Sequence, residues 1–161
     1  MRVKNPSIFL DDLDWAILGM LQENARQTYT EIGQRLNVAH STVYDRIKKM
    51  EQKGIIRKYT VVIDPKKAGG SFLTAILTVF TDPKESDKVA EELAKHDQVV
   101  EVFTSLSEEL YVIAKIVAKD QETLHSFVAG SVAPLPGVLR IRTSVITRKY
   151  KDELFPAKFA R

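Results

Sequence analysis

The stretch from Thr28 to Ile56 reads TYTEIGQRLNVAHSTVYDRIKKMEQKGII, and it decides the fold of the N-terminal part of the chain. Thr28 and Glu31 have the spacing of a capping box, which predicts the start of a helix. A second run of apolar residues with helical spacing ends at Gly54. Only residues 37–39 separate the two helical patterns. Such a short connection predicts two packed helices joined by a tight turn, which is typical of a helix-turn-helix.

The second of these helices has one apolar face and one polar face. At about 100° per residue, Val43, Ile47 and Met50 share a narrow sector, so we expect them to face the core. An α-helix fits the major groove of DNA, and its N-terminal residues reach the base edges. We therefore predict that the polar face and the stretch after the helix contact DNA. The predicted contact residues are His40, Ser41, Thr42, Tyr44, Asp45, Arg46, Lys48, Lys49, Arg57 and Lys58.

Some of these residues also have a purely structural interpretation. Asp45 has the spacing for ion pairs with Lys48 and Lys49, which would be worth only ~0.2–0.5 kcal/mol. Lys49 and Lys53 are of a type that is usually solvated. Arg46 lies near the core side of the helical wheel, where its aliphatic stem can pack. The prediction therefore depends on the combination of three helices, a tight turn and a basic stretch, and not on any one residue.

The flanking sequence completes a winged helix-turn-helix. Residues 12–24 have the pattern of an amphipathic helix, with Asp11 and Asp12 positioned to cap its start. Residues 55–63 are rich in β-branched side chains, which predicts a strand that serves as the wing. Residues 46–67 hold eight basic and two acidic residues. Such a concentration of positive charge is expected of a nucleic-acid surface.

The remainder of the chain predicts a second, different domain. Strands are predicted over residues 72–81, 99–106, 110–118 and 138–148, and helices over residues 85–96 and 120–132. This βαββαβ order is that of a ferredoxin-like sheet with helices on one face, and its other face is solvated or covered by a partner. The fold class is therefore α+β. The predicted domains are residues 1–63, DNA-binding; 64–71, hinge; 72–150, regulation and oligomerisation; and 151–161, a C-terminal tail.

The composition argues against several classes of protein. The chain of 161 residues has no cysteine, which removes disulfides, thiolate nucleophiles and cysteine-based zinc sites. No apolar run is long enough to span a bilayer, and residues 1–10 do not resemble a signal peptide, so we expect a cytoplasmic protein with no membrane partner. The three histidines have neither metal-ligand nor catalytic-triad spacing. We expect no enzyme activity, cofactor or metal.

The sequence resembles the Lrp/AsnC (leucine-responsive/asparagine-responsive) family of archaeal and bacterial transcriptional regulators. The resemblance is carried by LDWAIL at residues 13–18, by the recognition-helix stretch 39–56, and by Ile63–Pro65 with Gly69, which match the family's hinge. It covers nearly the whole chain. It implies double-stranded DNA as a partner, and self-assembly through the C-terminal (RAM) domain into dimers and then octamers or other higher assemblies. It also implies a small-molecule effector, in many members an amino acid, at the interface between dimers.

Two features depart from the family pattern. Ala39 stands at the helix N-cap, where the family often has serine, so we expect one of the next two residues to cap the helix instead. In the turn LSEELY, residues 106–111, Ser107 replaces the family's glycine and Leu110 replaces its aspartate. The turn therefore argues against the usual amino-acid effector. The candidate effector-binding residues are Ser105, Ser107, Glu108, Glu109 and Leu110.

The sequence thus predicts a sequence-specific DNA-binding transcriptional regulator that assembles through its C-terminal domain. The alternative is an architectural protein that coats DNA with little sequence preference, because the same basic helix and wing would serve that purpose. The ratio of specific to random DNA affinity, measured at stated salt, distinguishes the two.

Overall fold

A computed structural model describes residues 10–64, 67–105 and 110–151 of the chain. The chain divides into two compact units, and the division falls between Val62 and Ile63.

The N-terminal unit contains three helices: α1 (Asp12–Glu23), α2 (Tyr29–Leu36) and α3 (His40–Gln52). At the start of α1, the side chain of Asp11 accepts a hydrogen bond from the amide of Asp14 at 2.9 Å. The predicted capping box of α2 is confirmed, because the Thr28 amide donates to Glu31 Oε2 at 2.7 Å and the Glu31 amide donates to Thr28 Oγ1 at 3.2 Å. Asn37 ends α2 in the left-handed conformation, with φ of 55°.

The turn between α2 and α3 depends on a close approach of two backbone segments. Gly33 is buried in α2, and a Cβ atom at that position would lie 2.7 Å from the carbonyl oxygen of Val38. The Val38 amide also donates to the Gly33 carbonyl at 2.9 Å. Glycine therefore allows the turn to fold back tightly onto α2. The helices enclose an apolar core, as the spacing of the apolar residues predicts; its buried members are Ile17, Met20, Ile32, Val43, Ile47 and Met50.

The prediction of a strand over residues 55–63 is wrong for the described residues. The amides of Ile55 and Ile56 turn back to the carbonyl of Met50, at 2.9 and 3.2 Å, and residues 57–64 have no regular structure. Val62 is 83% exposed. A strand needs hydrogen bonds from a neighbouring strand and a surface to pack on, and β-branched residues supply only the preference. No described strand of the chain pairs with this segment.

The C-terminal unit is a four-stranded antiparallel sheet with helices on one face. The strands are β1 (Leu73–Thr81), β2 (Val99–Ser105), β3 (Tyr111–Ala118) and β4 (Val138–Ile146), in the spatial order β2-β3-β1-β4. The helices are α4 (Ser86–Leu93) and α5 (Gln121–Phe127), and α5 continues into a π-helical turn, Val128–Val132. This order confirms the predicted βαββαβ fold. The one long helix predicted over residues 120–132 is instead two segments of different winding.

Side chains of the sheet alternate between a buried face and an open face. Along β1, Ala75, Leu77 and Val79 are fully buried, and they form one core with residues of β3, α4 and α5. The side chains between them are only half-buried. The same alternation occurs on β3, and strand register continues both faces onto β4, whose side chains are mostly exposed. The sheet therefore has one face covered by its own helices and one face that they leave uncovered; residues of the second, named here the open face, include Ile76, Thr78, Phe80, Phe103, Tyr111, Ile113, Arg140 and Arg142.

Candidate nucleic-acid interface

The buried residues of α3 determine which side of the helix faces solvent. Val43, Ile47 and Met50 are each no more than 1% exposed, so the opposite side of the helix must face solvent. Apart from Arg46, the predicted contact residues of α3 are brought together on that side. Those that are exposed are His40, Ser41, Tyr44, Asp45, Lys48 and Lys49, and Thr42 is half-buried.

The first turn of α3 has no side-chain cap. Ala39 occupies the N-cap position in extended conformation, with φ of −64° and ψ of 144°, and no side chain bonds to the amides that follow. The expectation that one of the next two residues caps the helix is therefore wrong, since the helix begins one residue too early for either to do so. Amide groups at a helix N-terminus attract anions such as phosphate.

Arg46 does not lie on the outward face with its neighbours. Its guanidinium donates to Asp11 and to Asp14, the latter at 3.1 Å between Nη1 and Oδ1. The hydrogen bond to Asp11 is the main reason that the pKa of Arg46 is raised. The amide of Asp14 and the guanidinium of Arg46 together lower the pKa of Asp11. Arg46 thus joins α3 to the start of α1. The DNA contact predicted for Arg46 stays a prediction.

The acidic residue at the centre of the outward face, Asp45, has no ion pair among the described residues. In the described part of the chain, no ion pair links Asp45 to Lys48 or Lys49, although the helical spacing allows both. Lys48 Nζ instead lies 3.6 Å from a carboxylate oxygen of Glu51, one turn further along α3. The described residues therefore do not support the alternative interpretation of Asp45 as a partner of these lysines, and its carboxylate is exposed.

Tyrosine side chains frame the outward face on one side. The ring of Tyr44 meets the ring of Tyr29, the first residue of α2, with centroids 5.6 Å apart and planes inclined by 64°. The hydroxyl of Tyr59 donates to Glu51 Oε1 at 2.9 Å. Partial burial, this hydrogen bond and the charge of Glu51, with the nearby Tyr29, raise the pKa of Tyr59 to about 12. Sequence reasoning missed Tyr29 and Tyr59, because only tertiary packing brings them to α3.

The other predicted site residues are only partly described. Arg57 and Lys58 are exposed on the irregular segment after α3. Ser107, Glu108 and Glu109 of the candidate effector turn lie outside the described residues. Of the remaining two, Ser105 lies opposite Tyr111 across β2 and β3, and the carbonyl of Leu110 accepts from the amide of Thr81 at 3.3 Å.

The described residues also bear on two other kinds of site. No cluster of three or more potential metal-ligating side chains occurs within residues 10–64, 67–105 and 110–151. Within the same ranges, none of the helices combines the length and the apolar character needed to cross a bilayer.

The three-helix unit with its exposed third helix, followed by a ferredoxin-like sheet, defines a helix-turn-helix protein with a second domain. A model of winged helix-turn-helix DNA-binding domains matches residues 10–57, and a model of the Lrp/AsnC ligand binding domain matches residues 74–154. The HTH-type transcriptional regulator LrpA of Pyrococcus horikoshii is 35% identical over 142 residues, which cover 88% of this chain and 99% of the relative.

Solved structures have the same architecture. The structure of Escherichia coli AsnC superposes with a TM-score of 0.79 at 22% identity, over 92% of this chain and 99% of that one. The transcriptional regulator NMB0573 of Neisseria meningitidis, solved as a complex with L-Met, superposes with a TM-score of 0.76 at 26% identity, over 90% of this chain and 94% of that one. The chain belongs to the Lrp/AsnC family of transcriptional regulators, which bind DNA and are not enzymes. The resemblance found in the sequence is thereby confirmed.

Proposed function

We propose that this regulator recognises a specific DNA sequence by placing the outward face of α3 in the major groove. The observation that carries the proposal is that α3 exposes one polar face. The buried residues of the helix determine that this face points to solvent. Hydroxyl, carboxylate and ammonium groups on that face match base edges and phosphates. The proposed contacts are His40, Ser41, Thr42, Tyr44, Asp45, Lys48 and Lys49, with Arg57 and Lys58 on the flanking DNA backbone.

Asp45 favours sequence-specific recognition over indifferent coating of DNA. Its exposed carboxylate has no cationic partner among the described residues and lies on the face that would meet DNA. A carboxylate repels phosphates at every sequence, but it can accept a hydrogen bond from the amino group of cytosine. It therefore lowers the affinity for most DNA sequences and favours the few that offer its carboxylate such a hydrogen bond. A protein that only coats DNA gains nothing from such a residue.

The proposal is tested by gel-shift titration on DNA from upstream of this protein's own gene, against random competitor at fixed salt. We expect competitor-resistant binding, with a preferred sequence that Asp45→Ala changes by about 1–3 kcal/mol of discrimination. Glu23→Ala, an equal change of charge on the exposed end of α1, is the matched control and should leave the preference unchanged. Binding no better than to competitor would favour the architectural alternative.

Lys48 is proposed to contact phosphate, which predicts a different kind of loss. Lys48→Ala should weaken binding to specific and random DNA alike and reduce the slope of log affinity against log salt by about 1, because fewer counterions are released. The slope is measured by repeating the titration at several salt concentrations. An unchanged slope would remove Lys48 from the phosphate contacts.

We also propose that the chain assembles with copies of itself through the open face of the sheet. On this face, the two central strands carry Phe80, Tyr111 and Ile113, and the edge strands carry charged residues such as Glu101 and Arg142. The guanidinium of Arg140 already covers part of the Phe80 ring, 3.9 Å from its centroid. An apolar centre with a polar rim is the usual anatomy of a protein interface. A dimer formed in this way carries two copies of α3, as two DNA half-sites require.

The response to a small molecule is proposed to differ from that of amino-acid-responsive relatives. The departure rests on Ser107 and Leu110, which replace the glycine and aspartate expected in the effector turn. The test adds a pooled amino-acid mixture to the titration on upstream DNA. We expect affinity to be indifferent to the pool, and a shift in affinity would show that a conventional effector site has survived the substitutions.

A further inference from the structure

We propose that Tyr29 is a positioning residue of the DNA interface, which holds the side chain of Tyr44 in the orientation that DNA recognition uses. The inference rests on the proposed role of Tyr44 in DNA contact. It adds to the proposed interface a residue of α2, which lies outside the recognition helix α3.

The two tyrosines are exposed aromatic side chains that meet each other across the helix-turn-helix. Tyr29 is 40% exposed and Tyr44 is 43% exposed, yet their rings make an edge-to-face contact at 5.6 Å. This geometry is favourable because the positive edge of one ring meets the negative face of the other. An exposed tyrosine without such a contact would sample several staggered rotamers. The contact therefore restricts Tyr44 before any DNA arrives.

Tyr29 is itself held on a rigid base. It directly follows Thr28, whose hydroxyl and amide are both hydrogen-bonded to Glu31 in the capping box. On the other side, the chain continues to Ile32, which is fully buried in the core. The α2 backbone below the ring is therefore fixed at both ends of this turn. A ring anchored in this way can orient a neighbour, and a freely moving one cannot.

The position of Tyr44 is equally well defined at its backbone. It follows Val43, which is 0% exposed, so its Cα is fixed by the packing of α3. Only rotation about the side-chain bonds is left for Tyr29 to restrict. A tyrosine that enters the major groove in one orientation loses less conformational entropy on binding than a mobile one. Tyr29 is thus expected to increase affinity without touching DNA.

The test is a double-mutant cycle on the upstream DNA fragment, with the full-length protein at fixed salt. We expect Tyr44→Ala to weaken binding about tenfold and Tyr29→Ala about threefold to fivefold, typical of coupled contacts. The double variant should bind no worse than Tyr44→Ala, because Tyr29 acts through Tyr44. Tyr29→Phe should restore wild-type affinity, since the edge contact does not use the hydroxyl. The salt slope of Tyr29→Ala should equal that of the wild type.

Each other outcome overturns the inference in a recognisable way. A further loss when Tyr29→Ala is added to Tyr44→Ala, or failure of Tyr29→Phe to rescue, would make Tyr29 a direct DNA contact. Loss of affinity in Tyr44→Ala but not in Tyr29→Ala would leave the proposed interface intact and remove the positioning role. No loss in Tyr44→Ala would contradict the proposed contact itself. If thermal melting finds Tyr29→Ala unfolded, Tyr29→Leu keeps apolar bulk without an aromatic edge and replaces it in the cycle.

Discussion

The guanidinium of Arg46 lies between two carboxylates at the start of α1, those of Asp11 and Asp14. Asp14 is a buried residue, only 7% exposed, so it needs a cationic partner more than a surface residue would. The pairing therefore explains why an arginine occupies this position in the recognition helix. The basic residues of α3 therefore do not all face outward, because Arg46 is paired with α1.

Replacing Arg46 is expected to destabilise the N-terminal unit. Arg46→Met keeps the aliphatic stem but leaves Asp14 without its cation, which should cost about 1–3 kcal/mol of unfolding free energy. Chemical denaturation followed by circular dichroism measures the change. Lys49→Met is the control, because Lys49 is exposed and its replacement should change stability by no more than about 0.5 kcal/mol. Equal stability of Arg46→Met and the wild type would contradict the structural role.

Tyr59 predicts a loss of stability at alkaline pH. Its pKa in the folded protein is raised from 10.0 to about 12, because burial and Glu51 disfavour the phenolate. The folded state therefore holds the proton more tightly than the unfolded state does. Its contribution to stability is complete below pH 10 and disappears as the pH rises to about 12. Tyr59→Phe should remove this part of the pH dependence.

The titration itself is measured by phenolate absorbance of the wild type minus that of Tyr59→Phe, which isolates one of five tyrosines. In denaturant the difference should move back to the ordinary pKa of 10.0. A folded-state difference that already titrates at the ordinary value would mean that the hydrogen bond to Glu51 does not persist in solution.

Two helical glycines are expected to respond to alanine in opposite ways, because only Gly33 lies against the turn between α2 and α3. Alanine normally stabilises a helix interior by about 0.5–1 kcal/mol relative to glycine. Gly19→Ala in α1 should give this gain, because its Cβ would meet nothing within 4 Å. Gly33→Ala should instead lose about 1–3 kcal/mol, because its Cβ would lie 2.7 Å from the Val38 carbonyl oxygen. Urea denaturation of both variants decides, and a stabilising Gly33→Ala would mean that the turn can relax.

Helices and strands differed in how well the sequence predicted them. The ends of α1 and α2 follow from residues within a few positions of each other, such as the Thr28–Glu31 box, so a local pattern was enough. The stretch 55–63 has an equally clear local preference, yet no strand of the described residues lies beside it. We expect its exposed apolar residues, such as Val62, to acquire such a neighbour only in the assembled protein. Strand formation depends on a partner that periodicity does not reveal.

The predictable part of the candidate site is the outward face of α3, since a helical wheel separates it from Val43, Ile47 and Met50. The wheel also placed Arg46 near the core side, but it gave no sign of Asp11 or Asp14. Likewise, Tyr29 reaches Tyr44 only because α2 and α3 pack together. Contacts between residues far apart in the sequence are set by tertiary structure, and a single sequence contains no direct record of them.

Assembly of the whole molecule is expected to fail when the open face of the sheet is charged. Ile113→Glu places a carboxylate among Phe80, Phe103 and Tyr111. Burial of this face against a second copy would then leave a charge without a partner, which is energetically unfavourable. Size-exclusion chromatography with light scattering should then detect monomers. Thr143→Glu, exposed on the opposite side of β4, is the control and should leave assembly unchanged. A multimeric Ile113→Glu protein would mean that another surface holds the copies together.

The described residues between α3 and β1, 53–64 and 67–72, form no helix or strand, and the described core residues of the two units have no member in common. In evolutionary terms, this segment is a natural crossover point. Recombination there exchanges one DNA-binding domain for another without interrupting a hydrophobic core or the hydrogen bonds of a sheet. A lineage of such proteins can therefore acquire new target genes while it retains the old mode of control, or the reverse, in a single genetic event.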